Sequence, residues 1–180
     1  MKKLSAKTLL AEYAKGKRKF NLLDLSEIEL FEVKLIDIDL SQSNLQNAYL
    51  PYADFSCAQL VAVNLATSQL SNARFYQTNF AEANLEGADL SRSNLRNANF
   101  ESANLQEANL QGADLTHANL SNANLQGADL RQAKLSQANL KKTQLQGANL
   151  QGARQAVLSD AIIDSQTVDP SGYYLLVEEE

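Results

Sequence analysis

The chain has no tryptophan, a single cysteine, a single histidine, a single methionine and two prolines in 180 residues. One cysteine, Cys57, excludes an intrachain disulfide framework. Such sparing use of cysteine accords with a reducing cytoplasm, the location expected here. With only Cys57 and His117 there is neither a Cys/His metal set nor material for a second zinc-type ligand pair. No stretch approaches the roughly 18 apolar residues that a membrane-spanning helix needs. Met1-Lys2-Lys3 resembles the basic start of a signal peptide, but Lys7, Glu12 and Lys15 interrupt any apolar core behind it. A soluble protein with no membrane partner is expected.

What is present is order. Every fifth residue from Phe20 to Leu150 is Leu or Phe without a gap, with Phe at 20, 55, 75, 80 and 100. Two residues before each of these anchors, from Ser43 to Ala148, stands Ala, Ser or Thr, Val63 alone departing. The residue just before the anchor is usually Asn or Asp, as in Ala88-Asp89-Leu90 and Ala108-Asn109-Leu110. Internal repetition of this kind outranks any local propensity as a guide to fold.

A period of five fits neither regular element. On an α-helix, residues five apart are rotated by roughly 140°, so the anchors would wrap around the whole cylinder. On a continuous strand an odd spacing sends alternate anchors to opposite faces. The chain must therefore turn once per repeat, with the anchor and the small residue inward and the other positions outward. Gly and Asn collect two residues after the anchor, as at Asn47, Asn72, Gly87 and Gly112. These residues suit the positive φ that the third position of a type II turn demands.

The A(N/D)LXX run, clearest from Ala83-Asn84-Leu85-Glu86-Gly87 to Ala148-Asn149-Leu150-Gln151-Gly152, resembles the pentapeptide-repeat family. The resemblance implies an all-β solenoid, a right-handed quadrilateral β-helix with four repeats to a coil. Residues 1–19 read as an N-terminal helical cap, 20–153 as the repeat β-helix and 154–180 as a C-terminal cap and tail. Ser5 is a suitable N-cap, Ala6, Leu9, Leu10, Tyr13 and Ala14 share one helical face, and Gly16 is a suitable stop. The first coil carries Leu23, Ile28, Val33 and Ile38 where later coils carry small residues, thickening the core under that helix. The seven Lys and Arg residues of segment 1–19 are expected to be compensated by acids of the first coil such as Asp24, Glu27 and Asp39. The stretch Tyr13-Ala14-x-Gly16-x-Arg18-x-Phe20 is similar to the opening segment of cyanobacterial family members. The five-residue register fails at Gln155, where Val157, Leu158, Ile162 and Ile163 are expected to close the last coil.

Chemistry is not legible in this pattern. Cys57 and His117 fall two residues after an anchor, at outward turns, with no partner of their kind. Glu82, Glu86 and Glu101 occupy outward, solvated positions, where nothing would raise one carboxyl for acid–base work. No catalysis, cofactor or metal is expected. Stacking by twenty places Phe31, Tyr49 and Tyr52, with Pro51, on one side of the early coils, and puts Ile36, Ser56 and Tyr76 in one column of the next side. The candidate site is accordingly a protein-contact patch of Phe31, Ile36, Tyr49, Tyr52 and Tyr76. The competing reading is that the N-terminal segment covers it.

The expected function is a non-catalytic protein-interaction scaffold or regulatory module, in line with a cyanobacterial developmental or signalling regulator, with another protein rather than nucleic acid as partner. The chain is expected to be a monomer or a weak homodimer through the tail Tyr173-Tyr174-Leu175-Leu176-Val177. The alternative is a DNA-mimicking inhibitor of DNA gyrase, a role the resemblance also carries. Against it, Asn dominates the positions where Asp would build a charge ladder.

Overall fold

The computed structural model describes residues 1–175. The end of the tail expected to dimerise, Leu176 and Val177, lies outside them. From Lys19 onward, residue pairs twenty apart form parallel single-residue bridges, such as Asp24↔Asn44, Glu29↔Tyr49, Lys34↔Asp54 and Asp39↔Gln59. Four five-residue repeats thus complete one coil, and each coil sits directly on the previous one. The four sides are named below by their first anchors: the Phe20, Leu25, Leu30 and Leu35 faces.

Each repeat is a three-residue extended stretch and a turn. The stretch is too short for more than one pair of ladder bonds, as in Leu25 N–H to Asn44 O at 2.7 Å and Asn44 N–H to Leu23 O at 2.8 Å. The turn closes from the small residue back to the anchor, as in Ala48 N–H to Leu45 O at 3.1 Å. The residue two after the anchor then has φ near +57°, as at Asn47. Glycine and asparagine do not monopolise this conformation: Glu32, Tyr52, Thr67 and His117 adopt it as well. The stacked ladder over-determines the backbone there, so the left-handed cost of roughly 1–2 kcal/mol is tolerated.

All anchors from Phe20 to Leu150 are buried, and so are the small residues from Ser43 onward except the half-buried Ala138. Phe55 and Phe75 stack at 5.7 Å, Phe80 and Phe100 stack at 4.8 Å, and Phe75 meets Phe80 edge-on at 5.1 Å. This places two aromatic columns side by side in the core. Hydroxyls at the small position find carbonyls: Thr78 donates to Phe55 O at 2.8 Å and Thr143 to Leu120 O at 2.7 Å. A buried hydroxyl without a partner would be costly; no such orphan occurs among the described residues.

The N-terminal segment adds a strand and a helix. β1 (Lys2–Lys3) pairs in parallel with β2 (Leu23–Asp24) on the free edge of the first coil. α1 (Ala6–Ala14) begins at Ser5, whose side chain accepts from Thr8 N–H at 3.3 Å. Leu9 is fully buried in the core, with Leu4, Ala6, Leu10 and Tyr13 packed against it. The expected compensation by the first coil is seen at Asp24, whose carboxyl is held low chiefly by Ser26 and in part by Lys3 and the N-terminus, but it forms no close ion pair: among the described residues the only one from segment 1–19 is Lys17–Glu12, at 2.6 Å. Asp24 stands in register with Lys3 and Asp39 with Lys19, whereas Glu27, Glu32 and Asp37 are exposed at turns.

Beyond Ala153 the spacing shortens. Gln144 bridges Ile162 and Asn149 bridges Val168, eighteen and nineteen residues on instead of twenty. That slip rotates half of the expected closing residues outward: Leu158 and Ile163 pack on the core, whereas Val157 and Ile162 are exposed. Asp169-Pro170-Ser171-Gly172 turns the chain back, with Val168 and Tyr174 paired antiparallel.

Candidate functional site

The residues outside the core fall into two kinds of position. The one before the anchor points outward from the middle of a face; the two after it form the edges. On two faces the middle positions make amide ladders. Along the Phe20 face Asn79 donates to Gln59, Asn99 to Asn79, Asn119 to Asn99 and Asn139 to Asn119, at 2.9–3.2 Å. On the Leu25 face Asn64, Asn84 and Asn104 do likewise. The same side-chain oxygen also accepts the backbone N–H two residues on, as Asn99 Oδ1 does from Glu101 at 3.2 Å. This double use, an Asx turn within the coil and a bridge between coils, explains why Asn prevails before the anchors, while Asp supplies the turn but no donor. The pattern was visible in the sequence; the inter-coil bond was not.

The aromatic candidates are in solvent. Phe31 is 50% exposed, Tyr52 53%, Tyr76 39%, and Ile36 and Tyr49 38% each. Phe31 stacks on Tyr49 at 6.3 Å between ring centroids and meets Tyr52 edge-on at 5.8 Å. Pro51 is buried, seated as the second residue of its turn, so it adds nothing to the surface. Chain order puts Phe31 and Tyr52 on one edge of the Leu35 face and Ile36 and Tyr76 on its other edge. Between them lies a groove of about 310 Å³ lined by Glu32, Lys34, Tyr52, Asp54, Asn72 and Arg74. α1 reaches this rim without hiding it: the Tyr13 hydroxyl donates to Ile36 O at 2.9 Å, and the Arg18 guanidinium lies 4.0 Å from the Tyr13 ring centroid.

The middle column of the Leu35 face is the most highly charged of the four: Lys34, Asp54, Arg74, Asn94, Asp114, Lys134 and Arg154, bridged in sequence. Arg74 stands 3.9 Å from Asp54 and Lys134 3.4 Å from Asp114. Burial pushes the Asp114 carboxyl up, but the Thr116 hydroxyl and amide together with the Lys134 ammonium hold it below its ordinary value. Arg131, on the adjoining edge, grips Asp129 with two nitrogens, keeping that carboxyl low. Cys57 and His117 share one column on the Ile36–Tyr76 edge of this face: His117 is exposed at its turn, and half-buried Cys57 has its Sγ 3.8 Å from Gln77 Oε1. Among the described residues no group of His, Cys, Asp and Glu side chains could hold a metal ion. No helix among them is long and apolar enough to cross a membrane.

This geometry meets the comparisons with known proteins at the repeat itself. The family model of pentapeptide repeats matches in eight copies, over segments lying between residues 28 and 154. The chain belongs to the pentapeptide-repeat family. Its coil is thereby the right-handed β-helix of that family. The solved structure of HetL, a pentapeptide repeat protein involved in heterocyst differentiation regulation from the cyanobacterium Nostoc sp. strain PCC 7120, is 30% identical. That match covers 96% of this chain and all of HetL, with a TM-score of 0.38. Rfr23, from the cyanobacterium Cyanothece 51142, is also 30% identical over 76% of this chain and 91% of its own, with a TM-score of 0.46. QnrB1, a plasmid-mediated fluoroquinolone resistance protein, shares the fold at 16% identity over 81% of this chain and 82% of its own, with a TM-score of 0.55. No curated protein sequence matches the chain.

Proposed function

We propose that this protein is a non-catalytic, cytoplasmic interaction scaffold that holds a protein partner against its Leu35 face, as a regulatory module of cyanobacterial type. One observation carries the reading: Phe31, Tyr49 and Tyr52 cluster in solvent, opposite Ile36 and Tyr76, on a rod whose outward positions are otherwise mostly amides and charges. Exposed aromatic groups of this kind anchor interfaces because they bury large area at little entropic loss. The 30% identity to HetL over nearly the whole of both chains supports a regulatory role of the same sort. In this reading β1 and α1 cap the first coil, whose uncovered edge would invite aggregation. The exposed Tyr173 and Tyr174 leave the protein a monomer or a weak homodimer through its C-terminal end.

Duplex-DNA mimicry, with inhibition of gyrase, is the weaker reading. A duplex presents one charge per roughly 1.7 Å of axis. Here two faces present neutral amide ladders and a third presents exposed cations.

The double variant Tyr52→Ser/Tyr76→Ser tests the scaffold. It should lose capture of a defined partner from a host extract while melting within a few degrees of the parent. A large drop in melting temperature would mean that the aromatic groups are packing elements and that the scaffold reading is wrong.

A further inference from the structure

The Leu35 face carries more than its aromatic end. From Arg74 to the last coil, this face and its two edges bear the exposed side chains of Arg74, Arg92, Arg96, Lys134 and Arg154, with Asp114 the only acid among them. Arg92, Arg96 and Arg154 make no ion pair among the described residues. Over the same coils the acids gather across the rod. Glu82 and Glu101 lie on one edge of the opposite Leu25 face, and Glu86 and Glu107 on its other edge; all four are exposed. In a protein of net charge −5, six of the eight cations from Arg74 onward, Arg131 included, thus stand on the Leu35 face and its edges, with Lys141 and Lys142 on an edge of the Leu25 face.

Building on the scaffold reading, we infer that the Leu35 face binds an extended acidic segment of a partner protein, with an aromatic or large aliphatic residue at one end. The apolar end would pack on the Phe31–Tyr52 rim of the groove and the carboxylates would run along the arginines toward Arg154. Tyr52 and Arg154 are about five coils apart, on the order of 24 Å at the usual strand spacing. An extended chain spans that distance in roughly seven residues. Electrostatic complementarity of this kind selects partners and speeds encounter. A polypeptide fits better than a nucleic acid strand. Asp54 and Asp114, set into the same column, would repel each passing phosphate, whereas a peptide can meet them with backbone N–H groups. The acidic edges across the rod would also oppose a polyanion wider than the face.

Fluorescence anisotropy of the full-length protein tests this with one probe, a fluorescein-labelled peptide of a leading phenylalanine followed by glutamates. Saturable, salt-sensitive binding is expected. Arg92→Glu/Arg96→Glu should weaken it roughly tenfold or more, while Lys141→Glu/Lys142→Glu, on the far edge of the rod, should leave it unchanged. Absence of binding, equal weakening by both pairs, or tighter binding of a labelled oligothymidylate of similar length would overturn the inference. The two readings fail separately. If a host partner is still captured by Arg92→Glu/Arg96→Glu but lost with Tyr52→Ser/Tyr76→Ser, the scaffold stands and the acidic segment does not.

Discussion

Asn99 sits in the middle of the Phe20-face ladder, and removing its amide should reveal what such ladders contribute. Its Nδ2 donates to Asn79 at 3.1 Å, while its Oδ1 accepts from Asn119 Nδ2 at 2.9 Å and from Glu101 N–H at 3.2 Å. Asn99→Ala removes all three. A net hydrogen bond is worth about 0.5–1.5 kcal/mol, and the partners left behind are near enough to water to recover part of it. The loss should therefore fall near 1.5–3 kcal/mol, at the low end of the three-bond sum. Asn99→Asp keeps both accepting roles and loses only the donor to Asn79, so it should cost less than the alanine, about 1 kcal/mol. Gln137→Ala, at an exposed turn, is the control. Urea unfolding followed by circular dichroism reads all three. An Asn99→Ala midpoint indistinguishable from that of Gln137→Ala would show that the ladder is decoration and that stacking alone holds the coils. An aspartate costlier than the alanine would refute the assignment of the oxygen as the essential half of the amide.

Two further perturbations test other parts of the structure. Asp164 is held below its ordinary carboxyl value chiefly by the Gly147 backbone N–H, then, against some burial, by Thr167 and Gln166. A depressed folded value means that its stabilisation is present above the unfolded value of about 3.9 and fades as pH falls through the lower folded value. Asp164→Asn should accordingly flatten the acid-side fall in melting temperature below about pH 4, whereas an unaltered profile would place the acid sensitivity elsewhere. Gly127 has φ +67° with Glu107 Cγ 3.5 Å from where a Cβ would stand. Gly127→Val should destabilise by roughly 1–2 kcal/mol through left-handed strain, and a neutral result in the same urea titration would contradict the turn assignment.

How far the sequence reached can be judged residue by residue. The anchors needed only their spacing, because no helix or strand can place every fifth side chain on one side, and all of them are buried. The candidate patch followed from stacking by twenty, and its exposure fits that arithmetic for Phe31, Ile36, Tyr49, Tyr52 and Tyr76. Pro51 escaped it because a turn position can still be buried beneath neighbouring edges. β1 was illegible: Lys2 and Lys3 carry no strand propensity, and only the open edge of the first coil makes them pair. The C-terminal slip was missed for a related reason. Once the anchor is lost at Gln155, no periodicity says which of Val157, Leu158, Ile162 and Ile163 turns inward. The charge sorting along the Leu35 face could be read from the same twenty-residue columns, but single charges at outward positions look unremarkable until the four sides are compared.

Everything above depends on which side chains face the axis, and one matched pair of variants measures that. Leu110 is fully buried among its stacked neighbours, and Gln111, the next residue, is on the surface of the rod. In parallel urea titrations Leu110→Ala should lose about 2–5 kcal/mol and Gln111→Ala less than about 0.5 kcal/mol. Equal shifts for the two, or a larger one for Gln111→Ala, would contradict the coil.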